Sequence, residues 1–136
     1  MGGESDWRCS PINLFAKQDK TGNYFPLPNA IFSLGLSSGE LAVYAYLMYC
    51  EDRKSHQCWP SYKTIGKAVD MSRNTVQKYV RELEYKALII TEPTKYESKN
   101  GQIRNGNLIY TILPIQPAVD AYNERQAARA WRGQNR

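Results

Sequence analysis

Arg73, Asn74, Gln77, Lys78 and Arg81 fall within nine positions of one another and carry side chains suited to recognition. Asn and Gln present a donor and an acceptor side by side, the arrangement that grips an adenine edge, and Arg and Lys reach guanine edges or phosphate oxygens. Wound as a helix with Val76 turned inward, Gln77 falls at roughly 100°, Arg81 at roughly 140°, Asn74 at roughly 160° and Lys78 at roughly 200° from it. All four therefore point away from a core on the Val76 side. The stretch 60–81 adds Lys63 and Lys67 and holds a single carboxylate, Asp70, for a local net charge of +4 in a chain whose formal surplus is +5. Such a concentration of charge fits an anionic partner. Ser61 and Ser72 stand where they can cap two helices, whose free N–H groups can hold phosphate oxygens.

Other chemistries lack their residues. The cysteines are Cys9, Cys50 and Cys58, an odd number without the spacing of a disulfide framework. Cys50, His56 and Cys58 do not match a common zinc spacing, and a fourth ligand would have to come from distant Cys9, so no metal is expected. His56 is the sole histidine and sits among charged loop residues. No nucleophile, base and orienting group assemble around it, and no glycine-rich loop cradles a phosphate. Neither enzymatic activity, nor a cofactor, nor a small-molecule ligand is expected. The longest apolar stretch, Leu41–Cys50, has ten residues, against the roughly 20 that a membrane helix needs. The first six residues lack the basic and apolar regions of a signal peptide. A cytoplasmic protein without membrane attachment is the expectation.

The elements that must position the recognition residues can be read from caps and periodicity. Ser37-Ser38-Gly39-Glu40 is a capping box. The helix it opens, over about 38–50, is apolar on most sides, through Leu41, Val43, Tyr44, Ala45, Leu47 and Met48, and should be central. Residues 51–57 read as a solvated loop. Ser61 caps a short helix over about 62–69 with Ile65, Ala68 and Val69 inward; Asp70-Met71 turns the chain; Ser72 caps a third helix over about 73–86 with Val76, Tyr79, Val80 and Leu83 inward. Leu88–Thr91 and Asn107–Leu113 read as strands, with Leu108, Tyr110 and Ile112 on one face. Asn100-Gly101 is a favoured two-residue hairpin turn. A turn there pairs Lys99 with Gln102, Ile90 with Thr111 and Leu88 with Leu113, and Asn105-Gly106 is a second turn signal. Pro93 confines the first strand to an edge or a bulge. The segment with Ile31, Phe32, Leu34 and Leu36 should pack the chain onto the core. Pro114 and Pro117 end the hairpin, and an Ala-rich helix follows over about 118–131.

The expected fold class is therefore α+β: a winged helix–turn–helix of three helices and a β-hairpin wing, with an additional C-terminal helix. The expected divisions are a flexible leader at 1–22, a winged helix domain at 23–114 and a C-terminal helix and tail at 115–136.

The run Trp59-Pro60-Ser61-Tyr62-Lys63-Thr64-Ile65-Gly66-Lys67-Ala68, followed by Met71-Ser72-Arg73-Asn74-Thr75-Val76-Gln77-Lys78-Tyr79-Val80-Arg81-Glu82-Leu83, resembles bacterial winged helix–turn–helix modules. In these a Pro-Ser pair opens the second helix and a Ser-Arg-x-Thr-Val segment opens the recognition helix. Leu83–Ile89 resembles their closing segment, with Ala87 where that pattern has Gly. Tyr24–Asn29 and Leu36–Leu41 resemble the N-terminal domain of plasmid-type replication initiator A proteins and related small proteins of conjugative elements. The resemblance spans about 24–113. It implies double-stranded DNA as partner, with Ser72, Arg73, Asn74, Thr75, Gln77 and Lys78 facing it. It also implies a role in transcription regulation or at a replication or transfer origin of a bacterial mobile element.

The full expected contact set is Ser61, Lys63, Thr64, Lys67, Ser72, Arg73, Asn74, Thr75, Gln77, Lys78 and Arg81 on the two helices, with Lys95, Lys99 and Arg104 on the wing. The wing tip can be read as a solvated loop or as an arm over the flanking backbone or minor groove. The competing reading of the whole chain is a winged helix that docks a protein partner without DNA; an acidic recognition helix would have favoured it. A homodimer is compatible with either reading.

Overall fold

The computed structural model describes residues 24–134. The leader expected at 1–22, with Cys9, and the final two residues of the tail lie outside the described residues.

Among the described residues, nine elements follow a 3₁₀ turn at Asn29–Ser33: α1 (Ser38–Cys50), β1 (Gln57–Cys58), α2 (Tyr62–Val69), α3 (Arg73–Tyr85), β2 (Ile89–Glu92), β3 (Lys95–Glu97), β4 (Ile103–Asn105), β5 (Ile109–Ile112) and α4 (Ile115–Gln134). This is a winged helix–turn–helix with an added C-terminal helix. Helix α1 starts at the expected capping box: Ser37 Oγ accepts from Glu40 N at 3.2 Å, and Glu40 Oε1 accepts from Ser37 N at 2.9 Å. It runs through the middle of the molecule, with Val43, Tyr44, Leu47 and Met48 buried against Ile65 of α2 and Val76, Val80 and Leu83 of α3. Leu88, Ile89, Tyr110 and Ile112 close this core from the sheet side.

The hairpin base has the expected register, with Ile90 opposite Thr111 and Thr91 opposite Tyr110. The tip does not. Lys95 faces Asn105 and Glu97 faces Ile103, one residue out of step with the base. The slip arises because Pro93-Thr94 faces three residues, Gly106 to Leu108, across the interruption between the two sheets. Pro93 has no N–H to donate, so the ladder stops there. Ser98 N donates to Gln102 O and Gly101 N to Ser98 O. The loop therefore holds three residues, with Gly101 left-handed at φ 79°. That is the three-residue hairpin turn with glycine in the left-handed position, not the two-residue turn that Asn100-Gly101 signals. The first strand begins at Ile89 and the second at Ile109, each inside the expected run.

Four further expectations are corrected. Gln57 and Cys58, placed in or beside a solvated loop, form a short strand on the free edge of β5, so the main sheet has order β1-β5-β2. Phe32 is 72% exposed, because the 3₁₀ turn directs Ile31 and Leu34 inward instead. Ala68 is exposed, since α2 turns Ile65 and Gly66 to the core. Pro117 does not delay the last helix, which begins at Ile115. A proline in a first turn has no intrahelical hydrogen bond to lose.

Candidate nucleic-acid interface

Two serine caps and one tight turn set the geometry. Ser61 Oγ accepts from Thr64 N at 3.0 Å, and Ser72 Oγ accepts from Thr75 N at 3.2 Å. The threonine hydroxyls lie 2.9 Å from the capping oxygens. Ser61, Thr64, Ser72 and Thr75 thus build the two helix starts. Between the helices Asp70 is left-handed at φ 58°, and Met71 N donates to Gly66 O at 2.9 Å. A Cβ on Gly66 would lie 2.4 Å from the Met71 carbonyl oxygen, so the turn closes this tightly only over glycine.

On α3, Val76, Val80 and Leu83 are at most 1% exposed, while Asn74, Lys78 and Arg81 stand in solvent on the opposite side and Arg73 is exposed at the helix start. Gln77 is half-buried and flanks this face rather than centring it. Thr75 is also half-buried. Lys63 and Lys67 extend the face onto α2. A shallow depression at the turn is lined by Lys63, Lys67, Asp70, Ser72 and Arg73. Among the described residues the ion pairs are Arg53–Glu51, His56–Glu51 and Lys86–Glu40, so none neutralises these five cations. Lys78 Nζ lies 5.4 Å from the Tyr79 ring centroid, a cation–π contact that leaves its charge in place. Arg81 lies close enough to Tyr62 to oppose the upward push that burial gives the phenol.

The wing joins this surface through contacts that periodicity does not announce. Asn107 Nδ2 donates to Trp59 O at 3.2 Å, tying the base of β5 to the lead-in of α2. A polar groove lined by Ser61, Tyr62, Arg73, Asn105 and Asn107 runs between the two helix starts and the wing. Lys95, Lys99 and Arg104 are exposed on the ribbon beyond it, and Arg104 donates to Gln102 Oε1 at 3.0 Å. Asn74, Lys78 and Arg81 share the outer face of α3, Gln77 and Thr75 are half-buried, and Lys95, Lys99 and Arg104 lie on the separate wing ribbon.

Two of the residues weighed as metal ligands, His56 and Cys58, have partners of their own. Cys58 is buried, contacts Leu47 O at 3.6 Å through Sγ, and has its thiol pushed up to about 12 by burial. His56 Nδ1 lies 3.2 Å from Glu51 Oε2. No group of three or more His, Cys, Asp or Glu among the described residues could hold a metal ion.

The arrangement defines a winged helix–turn–helix surface. Residues 34–89 match the family described as a helix-turn-helix domain, which covers α1 to the first residue of β2. A possible transcriptional regulator from Methanosarcina mazei Go1 is similar in structure, with 20% identity over 76% of this chain and 79% of that one and a TM-score of 0.49. MepR of Staphylococcus aureus, in its complex with DNA, is 15% identical over 77% of this chain and 73% of its own, with a TM-score of 0.40. A cysteine-to-serine mutant of Lactococcus lactis ZitR, also in complex with DNA, is 13% identical over 85% and 66% of the two chains, with a TM-score of 0.39. No curated protein matches the sequence significantly. No helix among the described residues is long and apolar enough to cross a membrane.

Proposed function

We propose that this chain binds double-stranded DNA in a sequence-dependent manner, laying α3 in the major groove and bracing α2 against the backbone, and regulates transcription. The observation that carries the reading is the outer face of α3. Asn74, Lys78 and Arg81 are exposed together opposite a fully buried apolar stripe, with Arg73 exposed at the helix start and no carboxylate paired to any of the four among the described residues. A helix that merely solvates its surface gains from alternating charges; α3 carries no carboxylate from Arg73 to Arg81, and Glu82 and Glu84 follow only at its C-terminal end. Asn74 and Gln77 read base edges, Lys63, Lys67, Arg73, Lys78 and Arg81 meet phosphates or guanine edges, and Lys95, Lys99 and Arg104 follow the flanking backbone. Ser61, Thr64, Ser72 and Thr75 hold the helix starts whose N–H groups face phosphate oxygens. The chain acts without a cofactor. Its winged domain comprises residues 23–114, and the resemblance to initiator proteins extends the proposal to marking a replication or transfer origin.

Selection of bound sequences from random duplexes, followed by titration at varied salt, tests this. A defined site should emerge, and the affinity should fall with a slope of about −4.5 in log–log form if all five helix cations neutralise phosphates. Absence of binding to any duplex at low salt overturns the reading. A palindromic site would identify a dimer and separate a regulator of that design from a monomeric one.

A further inference from the structure

Helix α4 carries a second concentration of positive charge that the winged surface does not use. Its first turns pack on the body: Ala118 is buried, Ile115, Val119 and Tyr122 are half-buried against the core, and Tyr122 lies beneath Gly35. Arg125 is the last residue held there, its guanidinium 5.6 Å from the Tyr85 ring and 6.0 Å from the Tyr122 ring. Beyond it residues 126–134 are all exposed. Arg125, Arg129 and Arg132 follow one another at spacings of four and three. That spacing keeps them within about 60° of helix surface, over a rise of about 10.5 Å. No carboxylate occurs in 125–134, and none of the three arginines is in an ion pair among the described residues. The stripe prolongs the packing face of α4 past the point where the body ends.

Charge is thus placed at two ends. The winged face and the end of α4 together hold more positive charge than the whole chain's surplus of +5, so the remainder is net negative. Glu82 and Glu84, exposed near the C-terminal end of α3, stand between them. A single cationic track is therefore interrupted, and the two surfaces are electrostatically distinct. Arginine, with a planar fork of donors, is the side chain best matched to phosphate oxygens.

We propose that Arg129 and Arg132, with Arg125 anchoring the base of the stripe, bind the phosphate backbone of a second nucleic-acid segment while α2 and α3 hold the first. The occupant is a polyanion recognised without regard to sequence. The inference builds on the DNA-binding reading for the first segment but rests on its own residues for the second.

The test immobilises one duplex bearing the selected site and measures capture of a second, labelled duplex of scrambled sequence by the full chain. Capture should occur with the parent protein and with Arg129→Lys/Arg132→Lys. It should fall at least about tenfold in Arg129→Gln/Arg132→Gln, with its salt slope lowered by about two ion equivalents, while affinity for the immobilised site stays within about twofold. Glutamine forms helices about as well as arginine, and circular dichroism checks that α4 persists. Capture that survives the glutamine variant overturns the proposal and points to dimerisation. So does parallel loss of affinity for the first site, which would merge the stripe with the winged interface. Capture of an acidic protein but of no second duplex also overturns it. If the winged face fails to bind DNA at all, residual salt-sensitive duplex binding lost in the glutamine variant still supports the α4 surface, so the two readings fail separately.

Discussion

Ala87 holds a left-handed backbone at φ 64°, with its N–H on Glu84 O and the Leu88 N–H on Leu83 O, both at 3.0 Å. These are the two bonds that close a helix at a left-handed residue, a position glycine ordinarily fills. The Cβ costs about 1 kcal/mol there, against about 0.5 kcal/mol of unfolded-chain entropy that alanine saves. Ala87→Gly should therefore stabilise the protein by about 0.5 kcal/mol and raise Tm by roughly 2 °C; thermal unfolding at constant buffer checks this, and a fall in Tm contradicts it. The interface residues divide by the same local reasoning. Asn74 is exposed at the centre of the outer face and Gln77 half-buried at its flank, whereas Lys67 lies on α2. Asn74→Ala should narrow the gap between cognate and scrambled duplexes by about 1–3 kcal/mol, with Gln77→Ala doing less. Lys67→Ala should weaken both duplexes alike. Competition binding against the two sequences reads the difference, and identical profiles for the three variants would refute the division of roles.

At the scale of elements, the helix–turn–helix is built tightly and the wing loosely. Gly66 sits where any side chain would meet the Met71 carbonyl, a backbone atom that cannot yield without moving the start of α3. Gly66→Ala should cost about 2 kcal/mol, the usual range for overpacking, and should reduce DNA affinity more than its stability loss at assay temperature explains, because it re-aims the recognition helix. Denaturant unfolding and binding measured together separate the two effects; an unchanged affinity in the folded variant would show that the turn tolerates the shift. In the wing, the base strands β2 and β5 bury Ile89, Tyr110 and Ile112, while every residue of β3 and β4 is exposed. A two-stranded ribbon without a buried face opens readily. Amides of residues 95–105 should exchange with solvent far faster than those of 89–92 and 109–112. Equal protection would mean that the tip is packed. Lys99→Ala with Arg104→Ala should leave Tm and base preference unchanged, remove flanking protection from the footprint and lower the salt slope by up to about two ion equivalents.

Across the whole molecule, what the sequence makes legible is what neighbouring residues decide. The capping box at Ser37 and the serine caps at Ser61 and Ser72 follow from residues three apart, and the buried stripe of α3 from spacings of three and four. The shared face of Leu108, Tyr110 and Ile112 follows from alternation, whereas the base register counted from a two-residue turn at Asn100-Gly101 is met only because the extra residue in Gly106–Leu108 offsets the three-residue loop. The tip slips by a residue because the match between Pro93-Thr94 and Gly106–Leu108 depends on two segments together. Strand β1 exists only because β5 offers it a free edge, and the arginine stripe of α4 shows in spacing alone but has no apolar periodicity to draw attention to it. The least legible feature joins residues 46 positions apart: Lys86 Nζ donates to Glu40 Oε1 at 2.7 Å, with side-chain exposures of 17% and 6%, and reaches Gly35 O at 3.4 Å. Glu40 thus serves twice, accepting the Ser37 N–H and pairing with Lys86, so the start of α1 is fastened to the end of α3. Removing the ammonium leaves a nearly buried carboxylate that still accepts from the Ser37 N–H. Such an uncompensated charge costs about 3 kcal/mol, far above the roughly 1 kcal/mol or less of an exposed pair. Lys86→Met keeps the aliphatic stem and should lower stability by about that amount and Tm by roughly 10 °C. Adding Glu40→Gln, which retains an acceptor for Ser37 N without the charge, should restore part of the loss. Urea unfolding of the two single variants and the double variant measures the coupling; additive losses would show that the pair contributes no more than its separate side chains and that α1 and α3 are held together by apolar packing alone.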